Sequence, residues 1–167
     1  KGLYTSVAGA RPSGTTALLE DIVVPVPQLA PTCASLQDLF ATYSYRDSVI
    51  FGHAKDGNIH FMLTDRFEGD AALGRFTSFT EEMVDLVLGA GGNLKAEHGT
   101  GRIMAPFVRR QYGDELYEVT VRIKQLCDPA GLLNPGVIVT DDDRAHLRDL
   151  KVTPTVEPEV DRCVECG

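Results

Sequence analysis

The chain has 167 residues, of which 43% are hydrophobic and 24% are charged, a composition typical of one soluble globular domain with its own core. A net charge of −8 argues against a nucleic-acid-binding surface, which is normally basic. The sequence has no apolar run near the roughly 20 residues that cross a bilayer and no recognisable signal peptide. Because 4 cysteines are too few for a disulfide framework, we expect a reducing, cytoplasmic compartment.

Apolar periodicity and turn residues divide the chain into alternating strands and helices. In chain order, the patterns predict a truncated helix and loop over 1–19, a strand over 20–26, a helix over 28–44, strands over 48–54 and 58–64, a helix over 79–88, a short strand after Gly91-Gly92, and a helix over 114–127. Ser78 and Glu81 form a capping box that predicts where the second long helix begins. The order predicts an α+β fold, an antiparallel sheet with helices packed on one face in a ferredoxin-like arrangement.

The segment Asp56-Gly57 lies between two β-type runs and predicts a two-residue hairpin turn, whose central positions favour positive φ. With this turn, His53 faces His60 across the hairpin, with Cβ atoms roughly 4.5–5.5 Å apart. The alternate residues that then face the helices are Ile59, Phe61 and Leu63. A one-residue slip would place the two histidines on opposite faces of the sheet.

Two imidazoles on one face of a hairpin can chelate a single ion, although two surface or hydrogen-bonded histidines could equally share a hairpin. Glu97-His98 enters a glycine-rich turn and offers a carboxylate and a further imidazole. A set of two histidines and a glutamate with open positions is the usual form of a catalytic divalent site. The sequence therefore predicts His53, His60 and Glu97 as metal ligands, and it leaves His98 free to act as a base.

Three motifs carry a family resemblance and cover about residues 20–138. They are Gly52-His53-x-x-Asp56-Gly57-Asn58-x-His60, Glu97-His98-Gly99-x-Gly101 and Asp128-Pro129-x-Gly131-x-Leu133-Asn134-Pro135-Gly136. Together they resemble the C-terminal domain of the FAD-linked oxidases, the family of D-lactate, glycolate and D-2-hydroxyglutarate dehydrogenases in the vanillyl-alcohol-oxidase fold group. The resemblance implies that His53, His60 and Glu97 hold a divalent metal (zinc, manganese or iron), that His98 is the catalytic base, and that Asn134 lies near the flavin. It also implies FAD bound mostly by an N-terminal domain outside this sequence.

The resemblance also implies a division of the chain. The segments are a truncated N-terminal helix and loop (1–19), the substrate and metal domain (20–140), an acidic helix and linker (141–162) and the start of a truncated ferredoxin-type motif (163–167). His146, in the acidic segment, is expected to be solvated. Cys163 and Cys166 resemble the opening of an iron–sulfur motif, which implies fusion to an iron–sulfur domain. A single Cys-x-x-Cys pair could also bind zinc or nothing.

The implied function is that of a fragment, inactive on its own, of a flavin-dependent 2-hydroxy-acid dehydrogenase of the D-lactate or D-2-hydroxyglutarate type. Its implied partners are a small anionic 2-hydroxy acid, the protein's own FAD-binding and iron–sulfur domains, and a peripheral membrane electron acceptor. Its implied location is the cytoplasm or the periphery of the inner membrane. Arg11 and Thr15 lie where relatives hold the substrate carboxylate. Many relatives carry asparagine two residues after the second histidine, where this chain has Met62. The resemblance therefore does not determine which 2-hydroxy acid is the substrate.

Two other functions fit the residues alone. A metal-dependent hydrolase domain could use the same His/His/Glu set to activate water. A non-catalytic electron-transfer or interaction module would need no metal. Flavin content and metal content of the intact protein discriminate between these functions.

Overall fold

The computed structural model describes residues 2–150, 157 and 160, so Cys163 and Cys166 lie outside the described residues. The helices and strands, in chain order, are α1 (Gly2–Gly9), β1 (Thr16–Val23), α2 (Leu29–Thr42), β2 (Val49–Phe51), β3 (Asn58–Asp65), α3 (Gly69–Gly89) and α4 (Val108–Cys127). They form an α+β fold, as predicted from the sequence. Within the described ranges, none of the helices combines the length and apolarity that crossing a bilayer requires.

The sheet has three strands in the order β1-β3-β2, and both pairings are antiparallel. The fourth strand predicted after Gly91-Gly92 is reduced to one bridge between Asn93 and Val23, with N···O distances of 2.8 and 3.0 Å. Pairing stops there, since the next amide on that side, that of Lys95, donates to the Asn93 side chain at 3.1 Å instead of to β1.

Helices α2 and α3 cover one face of the sheet and form the core with it. Its most buried residues, each 6% exposed or less, are Ile22, Leu36, Phe40, Ile59, Phe61, Leu63, Phe76, Phe79, Met83, Val84 and Val87. The predicted inward positions on β3 are therefore confirmed. Fully burying such a side chain contributes roughly 1.5–3 kcal/mol. Because the helices occupy this face alone, the opposite face of β1 and β3 remains for other groups.

The boundaries of two helices differ from those expected. Helix α3 begins at Gly69, ten residues before the predicted start at position 79. The buried face of the helix extends upstream of that position, because Phe76 also packs in the core. Ser78 thus lies inside the helix, and the predicted capping box is wrong. Helix α4 begins at Val108 but is interrupted at Gly113 (φ 78°, ψ 167°), so its second, regular part starts where the sequence predicts.

The expectation that His146 is solvated is wrong. Its side chain is 2% exposed and lies in the 3-10 turn Ala145–Leu147. The imidazole packs against Phe107 and Phe76, with ring centroids 5.2 and 6.4 Å apart. The acidic composition of the segment suggests exposure. The buried imidazole instead packs the turn Ala145–Leu147 against α3 and against the 3-10 turn that precedes α4.

Candidate metal centre

The register of the β2–β3 hairpin differs from the predicted one. His60 pairs with Phe51, two positions along β2 from the predicted partner, His53. His53 instead exchanges backbone hydrogen bonds with Asn58, at 3.1 and 3.4 Å. The predicted pairing is therefore wrong by two residues. Because side-chain direction alternates with a period of two, the error leaves both histidines on the same face.

The turn itself explains this correction. A two-residue turn of the predicted type requires positive φ at both Asp56 and Gly57. Of these two residues only Gly57 has positive φ, at 71°. Gly57 ends a 3-10 turn that spans Ala54–Asp56. The amide of Val24 donates to the Gly57 carbonyl at 3.0 Å, and a Cβ on Gly57 would collide with the Val24 carbonyl oxygen. The longer turn thus ties the hairpin to the end of β1.

His53, His60 and Glu97 converge on the face opposite the helices. Glu97 Oε1 lies 3.0 Å from His60 Nε2 and 3.4 Å from His53 Nε2. One ligand atom of each residue lies within 4.8 Å of the other two. The His53 and His60 rings are 5.5 Å apart and nearly perpendicular. Two imidazole nitrogens and one carboxylate oxygen are donors suited to a divalent transition metal.

His98 lies beside this cluster. Its ring stacks on that of His60, with centroids 5.0 Å apart and planes inclined by 16°. Its Nε2 atom is 3.9 Å from Glu97 Oε1, and 44% of the side chain is exposed. The imidazole is therefore oriented by a neighbour and still accessible to a small molecule.

Asp21 contacts three of these four residues, His60, Glu97 and His98, although no sequence motif includes it. Its carboxylate is fully buried, and Oδ2 accepts hydrogen bonds from the backbone amides of Ala96 (3.0 Å), Glu97 (2.7 Å) and His98 (2.9 Å). Its Oδ1 lies 3.4 Å from His60 Nδ1. A signal was present, because an aspartate inside an apolar strand needs buried partners to offset its desolvation.

Asp21 is held in its charged form. Burial alone raises the pKa of its carboxyl group, but hydrogen bonds from the backbone of His98 and Glu97 and the nearby imidazoles outweigh that effect. The net result is a pKa below the ordinary value. The site therefore contains a buried negative charge behind the imidazole of His60.

A second buried carboxylate fastens the same segment from the other face of β1. Glu20 is 2% exposed and lies 2.6 Å from Lys95 Nζ. Burial raises the pKa of Glu20 despite the opposing effect of Lys95. Two adjacent acids on β1 thus hold the chain segment that carries Glu97 and His98.

The third motif forms a self-contained loop. Asp128 accepts the amides of Leu132 (2.9 Å) and Leu133 (2.8 Å) and pairs with Lys124. The Lys124 ammonium group, followed by the Leu133 amide, lowers the pKa of Asp128 to about 2. Asn134 is exposed, with φ at 44°. This loop meets the glycine-rich turn where the Ile138 amide donates to the Gly101 carbonyl at 3.4 Å.

Among the open cavities that border the sheet in the described residues, two involve residues singled out by the sequence. His53 and Glu97 line one of about 440 Å³. The other, of about 590 Å³, is lined by Arg11, Arg46 and Thr64, among other residues. Arg11 Nε donates a hydrogen bond to the Thr15 carbonyl at 2.8 Å, which holds these two residues together beside this cavity. By the alternation of β3, Thr64 shares the face of His60.

Met62 separates the His/Glu cluster from the second cavity. It is fully buried and pairs with Leu19 on β1 and Val49 on β2. By the alternation of β3, its apolar side chain lies between His60 and Thr64 on this face.

Known proteins share this sequence pattern. The family described as "FAD linked oxidases, C-terminal domain" matches residues 1–138. The chain is similar to "Glycolate oxidase subunit GlcD" of Bacillus subtilis (strain 168), with 30% identity over 132 residues, 79% of this chain and 28% of that protein. It is also similar to "Probable D-lactate dehydrogenase, mitochondrial" of Danio rerio, with 29% identity over 127 residues, 75% of this chain and 25% of that protein.

A third relative is "D-2-hydroxyglutarate dehydrogenase" of Stutzerimonas stutzeri (strain A1501), with 29% identity over 92 residues, 54% of this chain and 20% of that protein. The chain thus spans about a quarter of the length of the curated relatives it matches.

Proposed function

The chain belongs to the family of FAD-linked oxidase C-terminal domains, and from that premise we propose that it supplies the metal ligands and the catalytic base of a flavin-dependent 2-hydroxy-acid dehydrogenase of the D-lactate or D-2-hydroxyglutarate type. The observation that carries this proposal is the convergence of His53, His60 and Glu97 beside His98. The names of the relatives refer to glycolate, D-lactate and D-2-hydroxyglutarate, all of which are 2-hydroxy acids.

The residues fit a divalent ion. We assign its ligands as Nε2 of His53, Nε2 of His60 and a carboxylate oxygen of Glu97, which already lie within 4.8 Å of one another. A zinc, manganese or iron ion held by these residues would supply a local positive charge that favours an anionic substrate and would lower the pKa of its α-hydroxyl group. Since the chain carries a net charge of −8, an anionic substrate needs such a local positive charge.

His98 is the proton acceptor in this proposal. Its ring is fixed by the stack on His60, and its Nε2 atom faces the cluster. A neutral imidazole there takes the α-hydroxyl proton of the substrate at Nε2, a role that typically contributes about 10²–10⁴-fold to the rate. FAD, bound mostly by the part of the protein outside this sequence, supplies the hydride acceptor.

The exposed face of α4 is where we propose that the FAD-binding domain packs. Apolar residues on this face and the loop that follows it are 51–82% exposed: Leu116, Val119, Ile123, Leu126, Leu132 and Leu133. A contiguous apolar surface of this kind normally marks an interface. Asn134 follows directly, so this packing would bring it towards the flavin, in the role that the resemblance implies.

Cys163 and Cys166 are the basis for proposing an iron–sulfur domain as the next electron carrier. In this proposal electrons leave the flavin through iron–sulfur centres to an acceptor in the cytoplasm or peripheral at the inner membrane. Electron paramagnetic resonance of the dithionite-reduced full-length protein tests it, and an absent iron–sulfur signal contradicts it.

The main proposal is tested by His53→Ala and Glu97→Gln in the full-length protein. Both variants should lose most of the bound divalent metal and most of the dye-linked oxidation of D-lactate or D-2-hydroxyglutarate. Glu68→Gln, at an exposed carboxylate before α3, should retain both properties. Retained metal and undiminished turnover in both site variants would refute the proposal. A wild-type protein with hydrolase activity and no flavin would favour the hydrolase alternative.

A further inference from the structure

The carboxylate of Asp21 joins two separate parts of the candidate metal centre. One part is the segment after Leu94, from which three consecutive backbone amides donate to Oδ2 at 2.7–3.0 Å. The other is β3, where Asp21 pairs directly with His60 in the sheet register. Asn58 Nδ2 also donates to Oδ1, at 3.4 Å. A single buried acid therefore fixes the spacing between Glu97 and His60.

The orientation of His60 gives Asp21 a second effect. The two nitrogens of this imidazole lie near different carboxylates. The buried Nδ1 makes no hydrogen bond in the described residues but is 3.4 Å from Asp21 Oδ1, and Nε2 is 3.0 Å from Glu97 Oε1. His60 is 5% exposed, so water has little access to its ring. When a metal ion occupies Nε2, the acceptor beside Nδ1 favours the tautomer with the proton on Nδ1.

Asp21 is not itself a suitable ligand, although its carboxylate lies within 4.8 Å of donor atoms of His60 and His98. A carboxylate has about four lone-pair sites. Three backbone amides occupy Oδ2, and Oδ1 lies beside Asn58 Nδ2 and His60 Nδ1. Its charge and lone pairs are committed to holding other residues.

We propose that Asp21 is a positioning residue of the metal site, which fixes the tautomer of His60 and the backbone that presents Glu97 and His98. The inference rests on the proposed function, because it assumes that the cluster binds a divalent ion. Asp21→Asn preserves the size of the side chain but cannot serve both contacts. If the amide oxygen accepts the three backbone amides, the NH₂ group faces His60 Nδ1 and favours the tautomer whose Nε2 carries the proton.

The test is a Co²⁺ titration of the metal-free full-length protein, followed through the visible absorption of bound cobalt. Asp21→Asn should weaken Co²⁺ binding about 10–100-fold and change the absorption bands, as loss of an outer contact to a ligating histidine does. Asp65→Asn is the matched control, a half-buried carboxylate at the end of β3 that accepts the Arg66 amide at 2.8 Å and pairs with Arg75. It should lower the unfolding temperature while leaving Co²⁺ affinity within about twofold of wild type.

A second measurement needs no variant that must fold. The ¹⁵N chemical shifts of labelled histidines in the Zn²⁺-loaded wild-type protein, with His60 assigned through its backbone resonances, should show the His60 proton on Nδ1. The Nε2-protonated tautomer, or a folded Asp21→Asn protein with wild-type Co²⁺ affinity and bands, overturns the inference and leaves the proposed function standing. A wild-type protein that binds no Co²⁺ overturns both.

Discussion

The imidazole of His98 lies almost parallel to that of His60, with ring centroids 5.0 Å apart. The two rings nevertheless have different surroundings, since the His60 side chain is 6% exposed and that of His98 is 44% exposed. Burial suits a ligand whose orientation must not vary. Accessibility suits a group that must exchange a proton with a substrate and then with solvent.

Substitution of His98 should therefore separate catalysis from metal binding. We expect His98→Gln in the full-length protein to lower kcat about 10²–10⁴-fold while retaining the bound metal, because the cluster keeps its three assigned ligands. Steady-state kinetics and metal analysis by mass spectrometry measure the two quantities. His60→Gln is the comparison and should lose both. Equal metal loss in the two variants would assign His98 as a ligand instead of the base.

Gly57 should be required for the hairpin that positions His53. Gly57→Ala places a side chain at φ 71° and against the Val24 carbonyl, so strain of roughly 1–3 kcal/mol is joined by a steric collision. Gly69→Ala is the matched control, since Gly69 has φ at 76° but open space around it. We expect a larger fall in unfolding temperature, and a loss of bound metal, only in Gly57→Ala. Similar losses of stability in both variants would attribute the effect to φ alone.

The sequence predicts the face of the histidines better than it predicts their partners. Alternation along β3 is a local property, so it places Ile59 in the core and His60 on the other face whatever the exact register. The turn depends on whether Asp56 adopts positive φ. It does not, and the observed turn joins Gly57 to the distant Val24. Local patterns cannot include such a contact.

The same limit explains the residues that sequence reasoning missed. Asp21 is separated from the Glu97 segment by more than 70 positions in the chain. Only the fold brings the two together, and only the fold shows that His146 is buried against Phe107. Long-range contacts of this kind leave no periodic signal. An isolated charge in an apolar strand indicates that a partner is needed without identifying it.

The apolar face of α4 should matter only when the rest of the protein is present. We expect Ile123→Asp combined with Leu126→Asp, at positions 57% and 82% exposed, to lower FAD retention and turnover of the full-length protein. The reason is that a buried interface would then have to desolvate two charges. Gln125→Glu, on the opposite side of the helix, is the control and should have little effect. Flavin-to-protein absorbance after gel filtration measures the loss, and full retention of FAD by the double variant would contradict the proposed interface.

The docking of the turn around His146 should depend on pH. Burial lowers the pKa of His146 below its ordinary value of 6.5, and Arg144 acts in the same direction, against the opposing effects of Glu81, Asp142 and Asp143. In the described part of the chain, neither ring nitrogen has a hydrogen-bond partner. The docked turn therefore holds the neutral imidazole, whereas the released turn takes up a proton as the pH falls through 6.5.

The stability that His146 contributes should accordingly be complete above the ordinary histidine pKa and should decline as the pH falls from there towards the lower pKa of the docked state. The limit for one proton is about 1.4 kcal/mol per pH unit. Amide hydrogen exchange of Leu147, which donates to the Arg144 carbonyl at 2.9 Å, reports the opening free energy once it is corrected for intrinsic exchange. His146→Leu should remove this decline. Phe107→Leu should lower the protection of the Leu147 amide at every pH, but its protection should still decline as the pH falls. A decline that persists in His146→Leu would assign the pH dependence to another group.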